Sequence, residues 1–429
     1  MEELKYLTGF GSFFETEAKP GALPIGQNSP QKTPYNLYPE QLSGSAFTAP
    51  REENFRTWLY RTQPTVGHPP FERVKHQAFN GSPWLELPPT PNQLRWQPLA
   101  NSNKDATFID GLFCMAGNGQ VGQSGSAIYH FEIHKEMGND YFYSSDGEFL
   151  FMPHEGRMEV RTEMGVLELG PQMIAVVPRG VKFQVNPLFG DVVKGYALEN
   201  FGQPLKLPGL GPIGANGLAN PRDFEYRIAS FVQEKGKFNL YNKYSGHMFK
   251  TELDHNPCDV VAWHGNLAPY RYDLRRFNTV NTVSFDHPDP SIFTVLTSPS
   301  GQPGTANVDF VIFPPRWMVA EKTFRPPYYH RNYMNEYMGL IEGIYDAKAD
   351  GFVPGGASLH NRMSGHGPDA KTFRAGTDSE LKPEYQGNTL AFMFESNQIY
   401  NPTPFAMESS SLEKDYWKCW QGLENNFEA

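Results

Sequence analysis

Cysteine, long apolar runs and an excess of positive charge are all scarce in this chain, and each shortage removes a class of protein. Only three cysteines, Cys114, Cys258 and Cys419, stand among 429 residues. Their separations fit no zinc or redox motif, and an odd number argues against a disulfide framework. A reducing, cytoplasmic setting is the expectation. No stretch approaches the roughly 20 apolar residues of a membrane span. The opening MEELKYLTGFGSFF lacks the basic region and apolar core of a signal peptide. The net charge of −10 disfavours nucleic acid or an anionic membrane as partner. An anionic small molecule stays open, because one pocket can be positive inside an acidic protein.

Proline (37), glycine (40) and aromatic side chains (14%) are plentiful instead. Without low-complexity runs, that mixture indicates a turn-rich β protein and not disorder. Residues 1 to about 110 read as irregular, with prolines interrupting every stretch. The segment still holds Trp58, Trp84 and Trp96, so it is expected to wrap a neighbouring domain or subunit. From about 125 to 200 the apolar period becomes two, in runs such as SAIYHFEIH, RMEVRTE and MIAVVP, as in sandwiches and small barrels. From about 280 to 400 a second β-rich block follows, with NVDFVIFPPRW, YMGLIEG and TLAFMFES.

The first block resembles the small β-barrel called a cupin. Metal-binding cupins end this pattern with Pro, Gly two residues on and His three after that. Here Pro178 and Gly180 lead to Phe183, so the first barrel is expected to be structural. The second block keeps a closer ending, PGGASLH from Pro354. The fold expected is mainly β: two cupin or jelly-roll-like β-barrel halves, an irregular Pro-rich N-terminal region and a short C-terminal helix. The boundary expected lies between 278 and 279, with the metal site in 279–429. Ser410 and Glu413 are read as capping the last helix, and RDFEYRIASFVQEKG as helical. GLGPIGANGLANPRDF (from Gly209) lacks the Lys-Ser/Thr of a phosphate loop and is read as a structural turn.

Histidines carry the chemistry. Glu336 follows His330 by six residues, which span about 20 Å on a straight strand and fall roughly 120° out of register on a helix. They can share an ion only if the chain turns at RNYMN. A third ligand, His360 or His366, would arrive from the turn after Pro354. Two imidazoles and one carboxylate form the facial triad of non-haem Fe(II) oxygenases, although zinc and manganese accept similar donors. Surface or core histidines without a metal remain the alternative. On a strand, His130 and His134 stand about 13 Å apart and share no metal. His68, His76, His154, His247 and His255 are expected in solvated turns. His287, in FDHPDPS, suits a general base or a structural turn.

With these residues in hand, the sequence resembles the homogentisate 1,2-dioxygenase family over nearly its full length. PYNLYPEQLSGSAFTAPR (from Pro34), VVAWHGN (from Val260) and FDHPDPSIFTVLT (from Phe285) carry the likeness. So does DFVIFPPRWMVAEKTFRPPYYHRNYMNEYMGLIEG from Asp309, followed by GFVPGGASLHNRMSGHGPDA. The resemblance implies Fe(II) held by His330, Glu336 and His366, which decides between His366 and His360. It implies His287 as acid–base residue and Tyr345, His360 and His366 as substrate contacts. The implied reaction takes homogentisate and O2 to 4-maleylacetoacetate, in tyrosine and phenylalanine catabolism. The implied assembly is a homo-hexamer of two stacked trimers. A storage-type cupin without catalysis, or cleavage of a gentisate-type acid, is the rival reading. Arg331 and Asn332 are further candidates to hold the substrate carboxylate.

Overall fold

The computed structural model describes residues 4–100, 103–286, 288–345 and 351–428. Two large sheets fill the first part of the chain. A nine-stranded sheet has Glu148–Glu155, Val193–Asn200 and Ser126–Ile133 at its middle, as antiparallel neighbours. A seven-stranded sheet contains Met158–Thr162, Phe183–Pro187 and Asp140–Ser144. Period-two alternation sends one face of each into a shared core. There Phe149 and Phe151 of the first sheet meet Phe142 and Phe183 of the second, with centroids 5.6–6.3 Å apart. Phe183 thus fills, with an apolar ring, the position where a metal-binding cupin carries histidine. The sheets stack in jelly-roll fashion and do not close into barrels.

The N-terminal region pairs with later strands of the chain. Its strands Phe14–Glu17, Tyr38–Ser43 and Arg56–Arg61 join Val260–Gly265 in a four-stranded sheet. Trp84 and Trp96 are buried and Trp58 is half-buried.

A six-stranded sheet positions the site. Its order is Thr294–Pro299, Ala306–Phe313, Thr389–Ser396, Asn335–Gly343, Ala357–His360 and Leu94–Trp96. The last of these comes from the N-terminal wrap. In return, Asn401–Pro402 pairs with Leu112–Gly117 in the nine-stranded sheet. The two faces differ in purpose. Tyr337 and Phe392 point at the nine-stranded sheet, where Tyr337 Oη lies 2.8 Å from His130 Nε2 and Phe392 stacks edge-on against Tyr196 at 4.7 Å. Gly339 is required between them: a Cβ there would lie 2.3 Å from the Phe392 ring and 3.1 Å from that of Tyr196. The residues between, Glu336 and Met338, with Met393 and Glu395 of the adjacent strand, face a cavity on the other side.

One helical expectation fails, and a second is met only by a short 3₁₀ helix. In RDFEYRIASFVQEKG a single 3₁₀ turn, Pro221–Asp223, leads into the strand Phe224–Arg227. That strand alternates buried and half-buried residues between Tyr6–Thr8 and Tyr270–Asp273, so a period of two wins. The last segment holds only the 3₁₀ turn Tyr416–Trp420. Glu413 does not cap Ser410; its carboxylate grips Arg95, and its N–H donates to the Arg95 carbonyl. The helices that form are Ala370–Asp378 and Pro404–Glu408, capped by Asp369 and Thr403. His154 and His255 are not in solvated turns: they sit on the strands Glu148–Glu155 and His247–His255, with His255 buried. Among the described residues, no helix is long and apolar enough to cross a membrane.

Candidate metal centre and active site

Three side chains converge where the six-stranded sheet meets two loops. Donor atoms of His330, Glu336 and His366 all lie within 4.8 Å of one another. The turn needed between His330 and Glu336 is present: Asn332 Oδ1 accepts from the Met334 N–H at 2.9 Å, bending the chain before the strand that carries Glu336. His330 and His366 are locked by reciprocal backbone hydrogen bonds of 2.9 and 3.1 Å, so the main chain itself sets the spacing of the two imidazoles.

Each imidazole is also oriented. His330 Nδ1 lies 2.8 Å from the Tyr328 carbonyl and His366 Nδ1 lies 2.9 Å from that of Ser364. An Nδ1–H donated to a carbonyl leaves Nε2 to bind a metal. Both Nε2 atoms turn to Glu336, at 3.6 Å from His330 and 2.9 Å from His366. Burial works against the Glu336 charge, but hydrogen bonds from the two histidines outweigh it and hold the carboxyl well below its usual range. For His330, burial opposes protonation, and the Glu336 carboxylate more than offsets it, raising the pKa. Two imidazoles and an ionised carboxylate at this spacing fit a divalent cation, which would replace the protons now shared between them.

Asn332 supports the carboxylate. Its amide donates to Glu336 Oε1 at 2.8 Å and to Glu395 Oε1 at 2.6 Å. Burial, then the neighbouring Glu336 charge, push Glu395 up to about 8. His360 is not in the ligand cluster. It stacks parallel on His366 at 4.4 Å, with its Nε2 3.0 Å from Tyr416 Oη. The ligands border a cavity of about 300 Å³ whose wall also includes Phe313, Arg316, Tyr345, His360 and Met393. Tyr345 is buried between Phe313 and Phe352. Arg316, buried, lies over the Phe293 ring at 5.6 Å.

Two family models tile the chain: the N-terminal part of homogentisate 1,2-dioxygenase matches residues 5–274, and the C-terminal part matches 275–427. The chain belongs to the homogentisate 1,2-dioxygenase family. It is therefore an oxidoreductase of the dioxygenase class, and the two models meet four residues before the boundary expected from sequence. Solved structures that align with the chain include the protein Ylba from E. coli, at 12% identity over 72% of this chain and 92% of that one, TM-score 0.30. A putative dioxygenase from Nostoc punctiforme aligns at 10% identity over 76% and 83%, TM-score 0.29. The bacterial pirin YhhW from E. coli, solved with nickel(II), aligns at 8% over 76% and 95%, TM-score 0.27. At these TM-scores the likenesses add nothing to the assignment.

The three donors that the family resemblance implied, His330, Glu336 and His366, come together, and His360 and Tyr345 lie in the cavity wall. Arg331 is exposed at the rim. His287 lies outside the described residues. Glu395, Arg316 and Tyr416 were missed. Glu395 and Arg316 sit in β-rich runs, where only strand register reveals which side chains face the cavity. Tyr416 opens the short C-terminal 3₁₀ helix, which is too brief for a period to mark its inward face.

Proposed function

We propose that this protein cleaves the ring of homogentisate with O2 to give 4-maleylacetoacetate, using Fe(II) held by His330, Glu336 and His366, in tyrosine and phenylalanine catabolism. The observation that carries the reading is the orientation of the two imidazoles: both Nδ1 atoms are tied to carbonyls and both Nε2 atoms converge on one ionised carboxylate. Fe(II) bound there would supply the electrons that let triplet O2 react with a singlet aromatic ring, and would lower the pKa of a coordinated phenol.

The residues supply the remainder. Two neutral imidazoles and one carboxylate leave a formal positive charge at the site, which favours a phenolate over a phenol. His287 acts as the base that takes the phenol proton; Asp289, Pro290 and Ser291, which follow it, line the cavity. Phe313, Met338 and Met393 offer an apolar wall to the ring. The acetate arm is directed to the side that holds Tyr345 and Arg316, where hydroxyl and guanidinium donors face a carboxylate. His360 and His366 bound the ring on the metal side. Residues 279–429 carry this chemistry, and 1–278 supply the surface against which the catalytic sheet is held. The family relationship also supports a homo-hexamer of two stacked trimers; Ile25, Phe47 and Val66, largely exposed in the N-terminal wrap, suit subunit contacts.

The test is O2 uptake by protein loaded with Fe(II) under argon and then given homogentisate, with the yellow ring-opened product followed optically. One O2 per product is expected, abolished by a chelator and restored by Fe(II) but not by zinc. No uptake with a full complement of iron would reduce the likeness to one of fold.

A further inference from the structure

Two hollows meet at the ligands. Besides the main cavity, a cleft of about 320 Å³ is walled by Tyr329, Gly365, Trp420 and Leu423. His330, Arg331 and His366 border both hollows. We propose that this cleft is the path by which dioxygen reaches the metal, separate from the cavity that takes the aromatic acid. The proposal rests on the reading of the triad as a metal site and of the main cavity as the substrate's.

Three observations carry it. The main cavity, at about 300 Å³, stands at the small end of ligand pockets. A one-ring acid seated there obstructs the direct way to the metal, so a gas that follows it needs another path. The cleft wall is mostly ring and aliphatic surface, with the exposed Arg331 at its rim. A neutral apolar gas loses no hydration there, whereas a carboxylate does.

The third observation is Gly365. Its φ is not in the left-handed region, and a Cβ would meet nothing closer than Arg331 Cγ at 4.0 Å. The backbone therefore does not require glycine, and its missing side chain leaves the cleft open. The opposite wall is fixed in place: Trp420 Nε1 donates to the Gly367 carbonyl at 3.4 Å and its ring packs on Tyr416 at 5.1 Å. Leu423, at the rim, is 41% exposed, so changing it disturbs little packing.

Nitric oxide, a dioxygen surrogate for ferrous iron, gives a readout other than turnover. The Fe(II)–homogentisate complex would be mixed with nitric oxide under argon, and the nitrosyl absorbance followed by stopped flow. In Gly365→Val and in Leu423→Trp the association rate should fall about tenfold, equivalent to ~1.4 kcal/mol on the barrier. Iron content and anaerobic homogentisate affinity should stay at wild-type values, and KM for O2 should rise while KM for homogentisate does not. Wild-type nitric oxide rates in both variants would overturn the proposal and leave the metal reading intact. Wild-type protein that takes up no iron, or iron that takes up no nitric oxide, would overturn both together, and shows without any substitution.

Discussion

Replacing Asn332 by alanine tests how far the proposed metal centre depends on one amide. That amide donates to Glu336 Oε1 and to Glu395 Oε1, and the two glutamates are paired directly across neighbouring strands. Its removal deletes two hydrogen bonds to acidic groups, each worth ~1.5–3 kcal/mol, and leaves two carboxyls facing each other. Loss of such a supporting partner typically weakens metal affinity about 10–100-fold, or ~1.4–2.8 kcal/mol. Because both hydrogen bonds are lost together, the upper part of that range is expected. The assay is competition for Fe(II) under argon against a chromophoric chelator. Asn332→Ala combined with Glu395→Gln places an amide donor on the strand position opposite Glu336 and should recover part of the loss. Iron affinity unchanged in the single variant would refute the reasoning, since the amide would then be a spectator. Equal loss in single and double variants would assign the whole effect to the hydrogen bond with Glu336.

Other expectations follow from the same geometry. Glu336→Gln keeps the shape of a buried side chain but removes its charge, so iron binding and ring cleavage should be lost while thermal unfolding changes little; full activity would take Glu336 out of the site. His287→Phe should retain iron and slow turnover by about 10²–10⁴-fold, the usual contribution of a general base; loss of iron instead would make His287 a ligand or a support. Acid should destabilise the fold through buried histidines. Burial lowers His130 to about 3 and His154 to about 4, from an ordinary 6.5. Below 6.5 the unfolded chain takes up protons that the folded chain refuses, so stability falls as pH drops from there towards about 4. Denaturant midpoints that stay flat through that window would contradict the burial of both rings.

The convergence of His330, Glu336 and His366 was expected in part from spacing and in full from family resemblance. Spacing required a turn after His330, and Asn332 makes it. Spacing could not choose between His360 and His366, because the loop after His360 doubles back. His366 then pairs its backbone with His330, while His360 stays on its strand and stacks behind. The strands themselves were readable wherever a period of two was clean, as in SAIYHFEI. The helical reading of RDFEYRIASF failed because its alternation is short and its partners, Tyr6–Thr8 and Tyr270–Asp273, lie far away in sequence. The C-terminal helix forms only as the 3₁₀ stretch Tyr416–Trp420, while the side chains of Glu413 and Trp420 reach partners elsewhere in the fold, at Arg95 and Gly367. Contacts of that kind leave no local trace.

The exchange of strands between the two parts of the chain has a consequence for how the gene can be cut. Leu94–Trp96 closes the edge of the catalytic sheet, and Asn401–Pro402 lies on the edge of the nine-stranded sheet. A break at the junction of the two family models therefore leaves each fragment with a sheet margin that only the other fragment can cover. Such margins are sticky, so the pieces should aggregate alone and complement each other when co-expressed. The halves are interlocked and cannot be traded like cassettes between relatives. During synthesis the first margin can be sealed once residue 360 has emerged, and the second only once residue 402 has.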